Sequence, residues 1–145
     1  MNLNRYAAFS NSSHDSYEFL SIGPKGTVKK IVQYTEIERN VYNLAFGDWD
    51  ELSQAFRDDI RTNNGDRGRV LATVASTVLD FMRYHPNAIV FAKGSIPAKT
   101  RLYQMGITTN WKDISTLLDV RGFTGKGWEP FRQGKNYKAF AAKAK

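Results

Sequence analysis

Ser95, Lys99 and Arg101 are set around a proline in Gly94-Ser-Ile-Pro-Ala-Lys-Thr-Arg101, directly after the apolar run Ala88-Ile-Val-Phe-Ala92. The pattern predicts a buried strand, a Gly-Ser turn and a helix that Pro97 opens. The chemistry offered by such a junction is anion binding. Amide N–H groups at a helix start lack intrahelical acceptors, and the helix dipole adds partial positive charge. Gly94, Ser95, Lys99 and Arg101 are therefore candidate ligands for a phosphate or carboxylate. Lys99 and Arg101 lie two apart, roughly 200° around a helix, so a regular helix cannot aim both at one point. The same residues also make an ordinary turn, with Ser95 capping the helix and both cations in water.

Asn63-Asn-Gly-Asp-Arg-Gly-Arg69 is a second glycine-containing loop, and it feeds the strongest helical pattern in the chain. Its anion candidates are Asn64, Gly65, Arg67, Gly68 and Arg69. The Gly-Lys-Ser/Thr ending of a nucleotide-binding P-loop is missing. Asp66 stands where an anion would sit, unless its carboxylate caps the helix. Asp48, Asp50, Glu51, Asp58 and Asp59 lack metal-ligand spacing and read as a solvated acidic edge, and His14 and His85 are isolated, so no metal centre is expected.

The basic end offers a third site. Residues 121–145 hold seven Lys/Arg against Glu129, whereas residues 1–120 hold 14 against 13 acidic residues. Arg121, Lys126, Arg132, Lys135 and Lys138, with Trp128 as a stacking ring, form a candidate nucleic-acid interface. The alternative is a solvated strand pair whose aromatics face inward.

Positioning these residues requires a particular order of elements. Tyr17–Ile22 and Thr27–Tyr34 read as strands around the turn Gly23-Pro-Lys-Gly26, and Val28, Val32 and Tyr34 share a face on which Lys30 is the exception. Val41–Phe46 is a third strand. Residues 51–62 fit either a helix through Leu52, Phe56 and Ile60 or a strand over Phe56–Thr62. Over 68–85, Val70, Val74, Val78, Phe81 or Met82 and His85 recur at helical steps, with Thr73, Ser76, Thr77, Asp80 and Arg83 mostly opposite. Asp66 is the expected N-cap. Residues 88–93, apolar on both faces, predict a strand inside the sheet. A helix ending near Gly106 and a short one carrying Trp111 and Ile114 follow. Strands near Val120–Phe123 and Tyr137–Ala142 come last. The expected fold is α+β in a single domain, with a mixed, mostly antiparallel sheet and two or three helices.

Composition sets the outer limits. The chain has 145 residues, 41% of them hydrophobic, with a net charge of +7 and no cysteine. That composition is globular rather than disordered and excludes disulfide or thiolate chemistry. No apolar run approaches the roughly 20 residues needed to span a bilayer, and residues 1–20 carry no signal-peptide pattern. A cytoplasmic protein without a membrane partner is the expectation.

Two resemblances rest on these residues. Tyr42-Asn-Leu-Ala-Phe-Gly-Asp48, Asn63-Asn-Gly-Asp66, Val70-Leu-Ala-Thr-Val74, Gly94-Ser95, Thr100-Arg-Leu-Tyr103 and Asn136-Tyr137 make the whole chain resemble a small uncharacterised bacterial family of about this length. That family brings no known activity. Residues 41–123, in the order strand, loop, long helix, strand, short helix, are similar to the GCN5-related N-acetyltransferase superfamily, and Leu102-Tyr-Gln-Met-Gly-Ile107 is close to its Leu-Tyr-x-x-x-Gly-Phe pattern. The resemblance implies an acetyltransferase-like topology and a coenzyme A thioester as cofactor. It also implies that the loop before the long helix binds pyrophosphate and that Tyr103 protonates the leaving thiolate. Asn64-Gly-Asp-Arg-Gly-Arg69 departs from the family loop, because its glycines are one residue too far apart with a carboxylate between them. The sequence thus points to a domain that binds a phosphate-bearing ligand, with an acyltransferase as the enzymatic version. A basic nucleic-acid-binding protein is the alternative. Another is a partner-binding or homo-oligomeric component of a defence or toxin–antitoxin pair, using acidic 48–59 and basic 121–145.

Overall fold

The computed structural model describes residues 4–57 and 64–145. Strands β1 (Phe9–Ser10), β2 (Ser16–Gly23), β3 (Gly26–Glu38) and β4 (Val41–Asp50) run as an antiparallel meander. Gly26, at φ 89°, closes the β2–β3 turn in a conformation that side chains other than glycine resist. Tyr17, Phe19, Val32, Tyr34, Leu44 and Phe46 are buried on one face, as a period of two requires. Lys30 also belongs to that face. It is buried against Asp48, its cross-strand neighbour, with Nζ 2.5 Å from Oδ1. Asp48 is therefore not part of a solvated acidic edge.

A turn over residues 51–54 leads into β5 (Ala55–Arg57), which pairs with the end of β4. Leu52 is 98% exposed in that turn, so no helix buries it. The strand expectation holds for Phe56 and Arg57, while Asp58, Asp59, Ile60 and Asn63 lie outside the described residues.

Helix α1 (Arg67–Tyr84) follows, then β6 (Ile89–Ala92), α2 (Pro97–Thr109), α3 (Trp111–Leu117), β7 (Leu118–Phe123), β8 (Trp128–Pro130) and β9 (Ala139–Ala144). The sheet order is β1-β2-β3-β4-β6-β9-β7-β8. Among the described strands only β4 and β6 run parallel, over Val41↔Ile89 to Leu44↔Ala92, as a crossover through α1 allows. The result is an α+β fold with three helices among the described residues and a mixed, mostly antiparallel open sheet. β6 lies inside the sheet, between β4 and β9, as its apolar run predicts.

All three helices pack on one face of the sheet. Leu71, Val74, Tyr103, Ile107 and Ile114 from the helices and Leu44, Val90, Ala92, Val120 and Phe140 from the strands surround an apolar cavity of about 80 Å³. α2 does not stop near Gly106, because Gly106 sits against α1, where an added Cβ would stand 3.5 Å from Leu71. The last strand runs two residues later than its sequence pattern, and β8 was not foreseen.

The polar face assigned to α1 needs correction. Thr73 and Thr77 are buried. Each hydroxyl returns a hydrogen bond to its own helix, to Arg69 O at 2.7 Å and Val74 O at 2.7 Å. Thr73 Oγ1 also accepts the Tyr6 N–H at 2.8 Å, and Thr77 Oγ1 lies 2.8 Å from the Tyr34 hydroxyl. A small hydroxyl satisfied in this way is cheap to bury. With Val70, Leu71, Val74, Ala75, Phe81 and Met82 also buried, much of the helix circumference is covered.

Candidate anion site

The junction singled out in the sequence has the expected shape. β6 ends at Ala92, Ile96 occupies the N-cap position, and Pro97 opens α2. No side chain caps this helix start, Ser95 included. Gly94 is required by close approach: a Cβ there would lie 2.4 Å from Thr100 N and 2.5 Å from Lys99 Cβ. The Gly94 N–H donates to Thr100 Oγ1 at 3.0 Å and ties the turn to the helix.

Gly94, Ser95 and Arg101 line one side of a cleft of about 440 Å³, and Asn136 and Lys138 line the other with Lys93 at the strand exit. Lys93, Arg101 and Lys138 are exposed and come from three separate segments. None of the three has an ion-pair partner among the described residues. Such a trio beside a helix start makes the cleft electropositive. Lys99 does not belong to it. Its side chain turns inward, 2% exposed, with Nζ 4.7 Å from the centre of the Phe46 ring. The two-residue spacing put Lys99 and Arg101 on different sides of α2, as helix geometry demands.

The second loop is committed to structure. Asn64 is buried. Its amide donates to Gly26 O at 2.9 Å and its Oδ1 accepts the Lys25 N–H at 2.7 Å, which pins the loop to the β2–β3 turn. Gly65 takes φ 77°. Asp66 occupies the N-cap position but makes no capping bond. Its Oδ2 instead accepts the hydroxyls of Tyr6 at 2.6 Å and Ser21 at 2.5 Å. Arg67, Gly68 and Arg69 are exposed in the first turn of α1, and the Arg69 guanidinium stacks 4.0 Å from the centre of the Tyr6 ring. The Asp66 carboxylate thus stands beside the start of α1, held by Tyr6 and Ser21.

Tyr103 is buried, with its ring against the apolar cavity under α2. The basic-end residues separate into three groups. Arg121, ion-paired to Asp119 at 3.7 Å, and Trp128 lie on the sheet face opposite the helices, with Lys126 in the β7–β8 turn. Arg132 and Lys135 gather on Glu129, at 4.0 and 3.0 Å. The Lys135 ammonium, then the Tyr137 hydroxyl, hold the Glu129 carboxyl below the usual carboxylate range. Lys138 joins the α2 cleft. Reasoning from sequence missed Lys93 and Lys138 as partners of Arg101. Lys93 was legible as the residue before Gly94, but the approach of Lys138 depends on β9 pairing with β6.

A family model described as a family of unknown function (DUF6934) matches residues 2–145. The chain belongs to this family. No curated protein and no solved structure matches it. The family match covers both glycine loops and the basic end, so the whole arrangement above belongs to that unit. No helix among the described residues is long and apolar enough to cross a membrane.

Proposed function

We propose that this protein binds a phosphate-bearing ligand in the cleft at the start of α2. The observation that carries the reading is that Lys93, Arg101 and Lys138, none with an ion-pair partner among the described residues, line one cleft at an uncapped helix start, the Lys138 ammonium standing on its Gly125 side. The phosphate would lie between these side chains and the Gly94–Ala98 turn. Asn136 is placed to donate to the rest of the ligand. The loop at 64–69 serves as a brace, with Asp66 repelling any phosphate near α1.

A coenzyme A thioester is one such ligand, and acyl transfer is the second reading. What favours it is the parallel β4–α1–β6 unit followed directly by α2, the element order behind the acetyltransferase resemblance. Tyr103 would serve as proton donor only if α2 opened away from Leu44 and Ala92. The pyrophosphate loop of that resemblance does not fit here, because Asn64 and Asp66 are already bonded to β2, the β2–β3 turn and Tyr6. No reaction step is assigned to it.

The test is thermal unfolding with inorganic phosphate, pyrophosphate, ADP and acetyl coenzyme A. A ligand at one hundred times Kd stabilises by about 2.7 kcal/mol. The expected result is a rise in Tm with at least one of these ligands that is lost in the Lys93→Gln/Arg101→Gln/Lys138→Gln variant. A flat response to all four, or a shift unchanged in that variant, refutes the cleft as the site.

A further inference from the structure

The sheet face opposite the helices carries a second arrangement, independent of the α2 cleft. Phe91 and Phe123 stand beside buried residues of their strands and so point away from α1–α3, and Trp128 pairs with Phe123 on the same face. Their rings form a cluster, with Trp128 centred 5.2 Å from Phe123 and 6.2 Å from Phe91. Trp128 remains 45% exposed, although an indole normally finds cover in a folded chain. Beside it a groove of about 220 Å³ is lined by Ile89 from β6, Ala141 and Lys143 from β9, Asp119 and Arg121 from β7 and Trp128 from β8. Small residues on β9 create the floor: Ala141 pairs with both Phe91 and Arg121, which leaves the larger neighbours standing above it. Lys145 continues the line of Lys143 two residues on, and Lys126 stands at the hairpin tip.

We propose that this groove is a docking surface for single-stranded nucleic acid. A base enters over Ala141 and stacks on Trp128, while Arg121, Lys143 and Lys126 meet the flanking phosphates. The occupant is chosen by charge and shape. Arg121, Lys126, Lys143 and Lys145 stand around the groove against one acidic residue of its lining, Asp119, which is paired with Arg121. A second copy of the chain meeting this face across a two-fold axis would set these cations against one another. A duplex hides its base faces, so an exposed ring between cations suits an unstacked strand. Arg132 and Lys135 gather on Glu129, which alternates with Trp128 along β8 and so stands on the other face, and they contribute little.

The test is fluorescence anisotropy with a labelled 12-nucleotide oligothymidylate and a 12-base-pair duplex of mixed sequence, across a salt series. The expected result is tighter binding of the single strand. Trp128→Ala should weaken it by roughly 5- to 150-fold, the range found when a stacking ring is removed, and Trp128→Tyr should restore most of the loss. Arg121→Gln/Lys143→Gln should lower the slope of log K against log salt by about 0.7 per lost contact. Arg132→Gln/Lys135→Gln should change it less. Melting curves establish that each variant is folded, and if Trp128→Ala is not, the Arg121/Lys143 variant carries the test. Equal affinity for strand and duplex overturns the proposal. So does a folded Trp128→Ala variant that binds as the parent does. Trp128-dependent self-association in sedimentation, without oligonucleotide binding, overturns it in favour of a second copy.

Discussion

Thr77→Val should cost more than its size suggests, and Tyr34→Phe should remove most of that cost. Valine matches threonine in shape, so no cavity opens in the buried face of α1. The substitution leaves the Tyr34 hydroxyl, 2.8 Å from Thr77 Oγ1, without its partner. Tyr34 is buried between β3 and α1, with Phe81 stacked 4.2 Å from its ring centre, so water cannot take the place of Oγ1. That burial also drives the Tyr34 hydroxyl well above the usual tyrosine range, which keeps it a donor in need of an acceptor. A stranded buried donor costs about 1–3 kcal/mol. Val74 O, which also accepts from Thr77, keeps its helical N–H partner and adds little. For a chain of this size the loss corresponds to a Tm lower by roughly 3–9 °C. Tyr34→Phe alone should cost about 0.5–1.5 kcal/mol, since Thr77 still donates to Val74 O. The double variant should then resemble Tyr34→Phe, so that the coupling in a double-mutant cycle equals the cost of Thr77→Val, about 1–3 kcal/mol. Urea unfolding at unchanged m measures all four proteins. Strict additivity would refute the reasoning, because it would mean that the two hydroxyls do not depend on each other.

Gly94→Ala should destabilise by about 1–3 kcal/mol in thermal unfolding, because its Cβ would press on Thr100 N and Lys99 Cβ and push the turn off α2. It should also weaken phosphate binding by displacing Lys93 from Arg101. Glu129→Gln should lower stability at neutral pH but not in acid. The folded carboxyl titrates below its unfolded value, so its contribution is present above that unfolded value and is lost as pH falls through the folded one. Parallel pH-dependent urea midpoints check this, and a difference that persists in acid counts against it.

The sequence carried the local rules well. The helical period of α1, the strand at Ile89–Ala92, and Pro97 as the first residue of α2 follow from patterns within a few residues. What stayed hidden depends on partners far along the chain. Lys30 looked like a fault in an apolar face until the β3–β4 register set Asp48 opposite it. Thr73 and Thr77 were assigned outward by residue type, but a hydroxyl that bonds its own helix is not bound to solvent. Asp66 had the spacing of a cap and was instead drawn to Tyr6 and Ser21, which no local pattern connects to it. At the α2 cleft, Gly94, Ser95 and Arg101 were legible because they are neighbours in sequence. The same closeness misled for Lys99, whose burial against Phe46 is a tertiary fact.

The place of β9 in the sheet has a consequence for how the chain is made. β9 stands between β6 and β7 and pairs with both, yet it follows every element it joins. While the ribosome is still adding residues 93–138, the β6 flank of the meander is unpaired, and once residue 130 has been added the β7 flank of the β7–β8 hairpin is unpaired as well. Both flanks are strand edges of the kind that recruit other chains. At about 5–20 residues per second, this interval lasts for seconds. The small, alanine-rich strand Ala139–Ala144 then closes both edges at once. A nascent chain halted before it would hold most of its core residues but only two disconnected pieces of sheet, each with an open edge.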